Sequence, residues 1–401
     1  MPRSPTILQI IPQLDTGGAE RTTIEVAEAI VRAGGVALVA SEGGRLAGEL
    51  AEVGGELIPF PAGAKNPATI IGNARRLAGL IRSRGVDLIH ARSRAPAWSA
   101  LLAARWTKRP FVTTYHGIYN QKSALKSWYN GVMARGDAVI ANSRYTGRIV
   151  RERHGTPDDR LIVIPRAVDL ERFSPQAVSS RRIAELRASW GVAADARIVL
   201  QAARLTRWKG QQVLIGAAGS LKDSPAFRDA VVVIAGDDQG RSAYREELQA
   251  RSEALGLGDK VRLVGHCADM PAAFAAAWVT VVPSIEQEAF GRASIEAQAM
   301  GCPVIVSSGG ALPETIAEKG GGWIAEAGSE SALAERLGAV LQMTREARAI
   351  VAAVAQSNAA GFSKTELQKK TLEVYDRLLA SRMANAYAAV SGVEEYAHHT
   401  A

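Results

Sequence analysis

The stretch that decides the fold is Arg197-Ile-Val-Leu-Gln-Ala-Ala203, a short apolar run that restarts a pattern first seen at Thr6–Ile11. Each run is followed by a glycine-containing loop and then by an amphipathic helical period, over about Ala19–Ala33 in the first case and Gln211–Leu221 in the second. Buried apolar runs that alternate with helices are typical of parallel sheets covered on both faces. The sequence therefore predicts an α/β protein with two units of similar length.

The same alternation continues through both halves of the chain. In the first half, further strands are predicted at Val36–Ala40, Leu57–Phe60, Asp87–Ala91, Phe111–Thr114, Ala138–Ala141 and Leu161–Ile164. In the second half they are predicted at Val231–Ala235, Val261–Val264, Val279–Val282, Pro303–Val306 and Gly322–Ile324. Because the pattern weakens in the polar segment Phe173–Ser180, we predict one domain over 1–175 and a second over 176–362. A helix over about 363–382 is expected to cross back to the first domain, before a tail over 383–401.

Composition excludes several classes of protein. The cysteines, Cys267 and Cys302, form no CxxC pair and no HExxH occurs, so neither a disulfide scaffold nor a zinc site is predicted. The uncharged stretch Met270–Ile285 has sixteen residues and two prolines, which is too short for a membrane span. The first residues lack the apolar block of a signal peptide, which predicts a cytoplasmic protein. A net charge of +8 fits anionic small molecules, an anionic membrane or nucleic acid, but the low aromatic content (5%) and the absence of a basic run argue against nucleic acid.

Glycines and basic residues follow the first strand of each unit, where parallel sheets bind ligands. Gly17 and Gly18 would let the backbone approach a phosphate at a helix N-terminus, or they would simply form a strand-to-helix turn. Arg204 and Lys209 follow the first strand of the second unit. Their side chains could hold a diphosphate without a metal, although a solvated basic loop has the same composition.

Two carboxylates follow the predicted strand Val279–Val282. Glu288 lies in the loop and Glu296 in the next helix, which is predicted to begin near Gly291. A carboxylate can accept two hydrogen bonds from a vicinal diol, so either residue suits a ribose or a hexose. Amides at residues 290–292 could meet phosphate or sugar oxygens. Taken alone, Glu288 could merely favour the helix N-terminus and Glu296 could be a solvated helix residue.

Together these motifs resemble the retaining glycosyltransferases of family 4, which have the two-domain GT-B fold. The central match is Glu288 and Glu296, eight positions apart with Phe290-Gly291 between them. The other matching segments are Gly17-Gly18-Ala-Glu20, Thr114-Tyr-His116-Gly117, Ala141-Asn-Ser143, Ile164-Pro…Val168-Asp169, Arg204…Lys209-Gly210 and Glu296-Ala-Gln-Ala-Met-Gly-Cys-Pro-Val304. The resemblance implies two Rossmann-like domains that face each other across a cleft, with the acceptor on the first and a nucleotide-sugar donor on the second.

The resemblance also implies a role for each matching residue. Glu288 would contact the donor sugar near its reacting face, and His116 would approach the donor sugar and the acceptor, although His116 could also be a turn residue beside Gly117. The remaining residues would bind the donor. Arg204 and Lys209 would bind its diphosphate, Glu296 would bind its ribose, and the backbone at His266 would face its base. The phosphates or the sugar would be contacted by Gly17, Gly18, Phe290, Gly291 and Arg292. No cofactor and no metal are expected, so Asp237-Asp238 is interpreted as a turn.

Two positions depart from the family pattern, and the acceptor stays open. Arg166-Ala167 stands where relatives often have Asn-Gly, which predicts a different hinge loop. The segment His116–Arg135 mixes basic and aromatic residues. It could rest on the anionic inner face of the cytoplasmic membrane, where a lipid-linked acceptor would lie. Alternatively, it could be a helix packed by its aromatic side chains.

The favoured function is hexose transfer from a nucleotide diphosphate sugar to a glycan or lipid-linked acceptor with retention of anomeric configuration. Many members of the resembled family build lipopolysaccharide or other envelope polysaccharide, so such an acceptor is expected. A nucleotide-sugar epimerase or phosphorylase of the same fold is a rival interpretation, as is a non-catalytic sugar-nucleotide binding protein. A dehydrogenase is disfavoured, because no GxGxxG follows the first strand.

Overall fold

The computed structural model describes residues 4–15, 17–119, 123–240, 242–317 and 320–391, with the side chains of the last helix described to residue 382. The chain folds as two compact units. The first takes the residues up to Asn142, Gly147–Ile164 and the chain from Leu367 on, and the second takes Ser143–Thr146 and Pro165–Glu366. Apart from Ser143–Thr146, the chain passes from the first unit to the second after Ile164, whereas the predicted boundary is at 175. Lys122, predicted in the basic and aromatic segment, and residues 392–401 lie outside the described residues.

The first unit is a parallel α/β sandwich. Its seven described strands form one sheet in the order β3-β2-β1-β4-β5-β6-β7. The strands are β1 (Thr6–Ile10), β2 (Val36–Ser41), β3 (Glu56–Pro59), β4 (Leu88–Ala91), β5 (Phe111–Tyr115), β6 (Ala138–Ala141) and β7 (Leu161–Val163). The helices are α1 (Gly18–Arg32), α2 (Ala47–Glu52), α3 (Pro67–Ser83), α4 (Arg94–Thr107), α5 (Ala124–Asn130) and α6 (Arg144–His154), of which α6 begins in the residues grouped with the second unit. Every described strand pair in this sheet is parallel, as the apolar runs predict.

The second unit repeats this architecture. Its six described strands are ordered β10-β9-β8-β11-β12-β13. They are β8 (Arg197–Ala202), β9 (Ala230–Ala235), β10 (Val261–Gly265), β11 (Ala277–Val282), β12 (Val304–Ser307) and β13 (Gly322–Ala325). The helices are α7 (Ser180–Ser189), α8 (Gln211–Leu221), α9 (Ser242–Ala254), α10 (Met270–Ala276), α11 (Arg292–Ala299), α12 (Glu330–Leu341) and α13 (Arg345–Ala360). Separate apolar clusters cover the two faces of the sheet, so its central strands are buried on both sides.

The last helix, α14 (Lys364–Ser391), packs on the first unit from Leu367 on. Within that unit, Gln368 Nε2 donates to the carbonyl oxygen of Glu25 on α1 over 2.8 Å. Tyr375 is buried about two turns further along, with 1% of its surface exposed. The helix extends to Ser391, nine residues beyond its predicted end at about residue 382.

Both sheets reverse their strand order beside the first strand of the unit. β1 lies between β2 and β4, and β8 lies between β9 and β11. At such a position the loops after neighbouring strands leave in opposite directions and open a crevice at the carboxyl edge of the sheet. The fold thus places the loops after β8 and β11 on either side of one crevice in the second unit, and the loops after β1 and β4 in the first.

Candidate functional site

The strongest contact in the second-unit crevice joins Lys209 to Glu288. Lys209 Nζ lies 2.7 Å from Glu288 Oε1, although the two residues are 79 positions apart in the chain. Their side chains are only 17% and 9% exposed. Ser284 Oγ also donates to Glu288 Oε1. A shielded ammonium held by a carboxylate gives this edge of the sheet a positive group with a defined position.

The backbone around Lys209 is fixed from both sides of the crevice. Gln201, buried at the end of β8, donates from Nε2 to the carbonyl oxygen of Lys209 over 2.8 Å. The amide of Ile285, after β11, donates to the carbonyl oxygen of Trp208 over 2.9 Å. The indole ring of Trp208 lies under the ammonium of Lys209, 4.2 Å from ring centroid to Nζ. The backbone of this loop is therefore held by two hydrogen bonds, and the ammonium itself by Glu288 and the ring of Trp208.

Gly210 lets the two loops approach closely. It has φ +72° at the start of α8, and a Cβ there would lie 1.9 Å from the carbonyl oxygen of Pro283. We expect Gly210→Ala to lower the free energy of unfolding by about 3 kcal/mol, from backbone strain plus the displacement of Pro283. Urea unfolding measures this loss.

The matched control is Gly191→Ala. Gly191 has φ +64° but open space around its Cβ position, so that variant carries the backbone strain alone. It should lose about 1 kcal/mol. Equal losses in the two variants would show that the close approach to Pro283 contributes nothing.

The next helix, α11, presents a second charged pair. Arg292 Nε donates to Glu296 Oε1 over 2.8 Å, and each side chain is 16% exposed. Gly291 precedes the helix with φ +101°, where a Cβ would lie 2.3 Å from Leu312 Cδ2. Phe290 is 2% exposed and packs edge-on against Phe362, so its ring belongs to the core and only its backbone is available to a ligand. The structure adds a guanidinium partner for Glu296 that the sequence did not indicate.

The other second-unit candidates also lie at the carboxyl edge. Arg204 follows β8 with an exposed side chain, while its carbonyl oxygen accepts from Gln211 Nε2 over 2.9 Å. His266 follows the edge strand β10 and is exposed. Asp237 Oδ1 accepts from the amide of Gln239 over 2.7 Å, and Asp238 Oδ1 from that of Gly240 over 2.9 Å. The aspartates therefore form the predicted turn.

The first unit brings its candidates to the corresponding edge of its own sheet. Gly17 is the N-cap of α1 and Gly18 is its first residue, directly beyond β1. A Cβ on Gly17 would meet the carboxylate of Glu20 at 2.1 Å, so the glycine leaves room for that side chain. His116 follows β5, and its carbonyl oxygen accepts a hydrogen bond from Asn142 Nδ2 over 3.4 Å.

A buried polar network lies beneath His116 in the first unit. His90, on β4, is fully buried between Tyr375 Oη, 2.5 Å from Nδ1, and Thr114 Oγ1, 2.6 Å from Nε2. Burial, followed by the charges of Arg92 and His116, holds the pKa of His90 well below its usual range. Burial also lowers the pKa of Arg92, whose Nε donates to Gln9 Oε1 over 2.8 Å.

This network makes a pH dependence testable. The unfolded chain protonates His90 near its ordinary pKa, about 6.5, whereas the folded chain keeps it neutral to lower pH. Below about pH 6.5 the unfolded state therefore binds more protons, and stability falls as pH falls. We expect His90→Gln to remove a slope of up to about 1.4 kcal/mol per pH unit between roughly pH 6.5 and pH 5.

Urea unfolding of the wild type and the variant across this range checks the prediction. Their difference at pH 8 measures the lost hydrogen bonds, so only the change in slope is diagnostic. Parallel curves for the two proteins would contradict the assignment of a neutral His90.

Among the described residues, no group of three or more His, Cys, Asp or Glu side chains is arranged to hold a metal ion. None of the helices in the described ranges has the length and hydropathy of a membrane span. Cys267 and Cys302 are free thiols, and burial raises the pKa of both, which is the opposite of what a nucleophilic thiolate requires.

Comparison with known proteins decides the family. Residues 16–172 match the family model described as Glycosyltransferase Family 4, and residues 182–356 match the one described as Glycosyl transferases group 1. A D-inositol 3-phosphate glycosyltransferase of Salinispora arenicola is 30% identical over 351 residues, which are 82% of this chain and 75% of that protein. The chain belongs to glycosyltransferase family 4.

Solved structures show the same glycosyltransferase fold. A glycosyltransferase from Rickettsia africae is 32% identical, with a TM-score of 0.86 over 94% of this chain and 99% of that one. Anabaena HepE, solved in complex with UDP and glucose, is 25% identical, with a TM-score of 0.80 over 93% of this chain and 100% of that one. The expected GT-B fold with two Rossmann-like domains is therefore confirmed.

In this family 4 glycosyltransferase, the predictions from the sequence did not include several residues that support the site. Ser284 and Gln201 hold Glu288 and the Lys209 backbone, and His90 and Arg92 lie beneath His116. A signal existed for Ser284, because it directly follows a strand and a proline in the loop that carries Glu288. Gln201 and His90 interrupt apolar strand patterns, and a buried polar residue of that kind needs a partner.

Proposed function

We propose that the protein transfers a hexose from a nucleotide diphosphate sugar to an acceptor, with retention of anomeric configuration and without a metal ion. The observation that carries the proposal is the shielded Lys209 ammonium, held 2.7 Å from Glu288 at the switch point of the second sheet. Arg204 lies on the same loop. Two cations beside a helix N-terminus suit a diphosphate.

The chemistry makes specific demands on these groups. As the bond between the anomeric carbon and the diphosphate oxygen breaks, negative charge grows on the departing diphosphate. Fixed positive groups stabilise that charge better than they stabilise the intact donor, which lowers the barrier. The acceptor oxygen attacks from the same face, and the departing phosphate oxygen takes its proton. No side chain is then required as an essential base.

The remaining assignments follow from position at the two carboxyl edges. Glu288 would contact the hexose next to the breaking bond, and Glu296 the ribose hydroxyls. His116 would face the reacting sugar and acceptor. The other proposed contacts with the donor are those of Gly17, Gly18, His266, Phe290, Gly291 and Arg292.

The donor can be identified by its effect on stability. HepE binds UDP and glucose, which makes UDP-hexoses the first donors to test. A ligand present at 100 times its Kd stabilises the folded state by about 2.7 kcal/mol, so the donor should raise the melting temperature by several degrees. Nuclear magnetic resonance of the product then reads the anomeric configuration. Retained activity after EDTA treatment supports metal independence, whereas loss of activity that Mg²⁺ restores would refute it.

The acceptor assignment has two candidates. We propose an envelope glycan or lipid-linked acceptor, used at the inner face of the cytoplasmic membrane. Several relatives are named D-inositol 3-phosphate glycosyltransferase, so that phosphate is the second acceptor to test. Donor incubated alone tests the rival functions: an epimerase would change the sugar without acceptor, and a non-catalytic binding protein would turn over none of the acceptors.

A further inference from the structure

The positive charge of this chain is concentrated in one segment. Residues 88–136 contain eight lysines and arginines and no aspartate or glutamate. The rest of the chain has 40 basic and 40 acidic residues, so the whole excess of +8 lies in this segment. Three of the seven tryptophans, Trp98, Trp106 and Trp128, lie there as well. A segment of this kind indicates an anionic partner.

In the structure, this segment forms most of a cavity in the first unit. The cavity has a volume of about 680 Å³ and lies between α4, α5 and the 3-10 helix Gly131–Ala134, with His154 and Arg160 from the following elements. Its polar and aromatic lining consists mainly of Trp98, Trp128, Arg105, Arg135, Arg160 and His154, and no carboxylate lines it among the described residues. It therefore offers three guanidinium groups to one ligand.

The cationic groups are held in place before any ligand arrives. Trp98 and Trp128 stack with ring centroids 4.5 Å apart, and the guanidinium of Arg135 lies 5.0 Å from the centroid of Trp98. Arg105 pairs with Asp137 over 3.2 Å, and Arg160 Nη1 donates to the carbonyl oxygen of Gly136 over 3.4 Å. Such anchoring reduces the entropy lost when an anion binds.

Exposed apolar side chains lie on α4 and α5, the helices that line this cavity. Leu125 is 76% exposed, Trp128 is 55% exposed and Trp106 is 46% exposed. Trp106 is one helical turn beyond Leu102, which lines the cavity. A small soluble anion would not use these side chains. Tryptophan and leucine beside basic residues are typical of surfaces that enter the interface of an anionic membrane.

The cavity is distinct from the candidate transfer site. Arg135 and Arg160 lie before β6 and β7, at the amino edge of the first sheet. Gly17 and His116 follow β1 and β5, at the carboxyl edge. Binding of a ligand in this cavity is therefore independent of the assigned donor residues.

We propose that this cavity binds the phosphate head group of an anionic membrane lipid. Arg105, Arg135 and Arg160 would surround the phosphate, while Leu125, Trp106 and Trp128 enter the interfacial region of the bilayer. The lipid is the occupant because the cationic cavity and its apolar rim form one surface, and only an amphiphilic ligand uses both. The first unit would thereby be held at a membrane surface without a spanning helix.

Vesicle flotation tests the proposal. The full-length protein should float with phosphatidylcholine vesicles that contain phosphatidylglycerol, should not float with pure phosphatidylcholine, and should be released by high salt. Each arginine near an anionic surface contributes about fivefold to binding, so R135A/R160A should weaken partitioning roughly 25-fold. The control R75A/R76A removes two exposed arginines of α3 in the same unit and should change partitioning little.

The apolar rim needs its own variant. Leu125→Ser should weaken partitioning several-fold, whereas Ile350→Ser, which changes a 69% exposed isoleucine in the second unit, should not. Every variant should keep the donor-induced rise in melting temperature. That rise shows that the chain is folded and that the donor site is separate from the cavity. Failure to float with anionic vesicles, or equal loss in R75A/R76A, would overturn the proposal. So would binding of glycerol 3-phosphate in the cavity without vesicle binding, which would indicate a soluble anion as the ligand.

Discussion

Lys209→Ala is expected to lower kcat/KM for the nucleotide sugar by about a thousandfold. Removing one preorganised donor to a developing negative charge typically costs 10²–10³ in rate. Here the loss has a second part, because Glu288 would remain shielded without its ammonium partner, 2.7 Å away in the wild type. An unpaired carboxylate beside the departing diphosphate would repel it. Steady-state kinetics with the identified donor measure the effect.

Arg207→Ala is the matched control for Lys209→Ala. Arg207 lies two residues earlier on the same 3-10 helix, but its side chain is 68% exposed and pairs with Glu247 instead of reaching Glu288. Loss of one positive charge from this loop should change kcat/KM less than threefold, which is the scale of an exposed pair. If both variants lost activity equally, the general charge of the loop would matter and the position of Lys209 would not.

Folding of the Lys209 variant can be checked independently. Glu288 keeps the Ser284 hydroxyl as a donor, and the Lys209 carbonyl oxygen keeps its bond to Gln201, so the backbone of the loop should hold. A melting temperature near that of the wild type, together with lost turnover, assigns the effect to chemistry. A large fall in melting temperature would instead assign it to folding.

The apolar runs predicted the strands of both sheets, because central strands such as β1, β4, β8 and β11 are buried on both faces. Helix α8 begins and ends where the pattern predicts, at Gln211–Leu221, and each end of α1 lies within one residue of its predicted position. The short helix α2 was not predicted, because its six residues leave too few turns for an apolar stripe to repeat. For the segment that holds α5, a helix was one of the two alternatives left open.

The sequence predicted which residues of the candidate site follow the ends of strands, but it did not predict which of them contact each other. Lys209 and Glu288 were assigned separately, each because it follows a strand, but their contact depends on β8 and β11 being neighbours. Local periodicity does not determine the order of strands in a sheet. The contact between Lys209 and Glu288 therefore could not be derived from sequence spacing alone. The same holds for His90 and Tyr375, which are 285 residues apart and meet only because α14 returns to the first unit.

The two carboxylates of the second unit should separate in kinetics. Glu288→Gln keeps the side-chain shape and one oxygen for the Ser284 hydroxyl, but it removes the charge that positions Lys209. We expect kcat to fall by about 10²–10³ with a smaller change in donor KM, because the lost interaction matters most as charge develops. Calorimetric donor affinity should change less than kcat does.

Glu296→Gln should do the reverse. If Glu296 holds the ribose, its contact is the same in the ground state and the transition state, so its removal raises KM and leaves kcat nearly unchanged. A hydrogen bond to a charged acceptor contributes about 1.5–3 kcal/mol, which corresponds to a rise in KM of roughly 10- to 150-fold. Arg292, which is hydrogen-bonded to Glu296 over 2.8 Å, would keep an amide oxygen as its acceptor, so α11 should stay folded.

Glu286→Gln, at an exposed position of the preceding loop, is the control and should change neither kcat nor KM. A fall in kcat with unchanged KM for Glu296→Gln would show that this carboxylate acts on the reacting sugar, and the roles assigned to Glu288 and Glu296 would have to be exchanged.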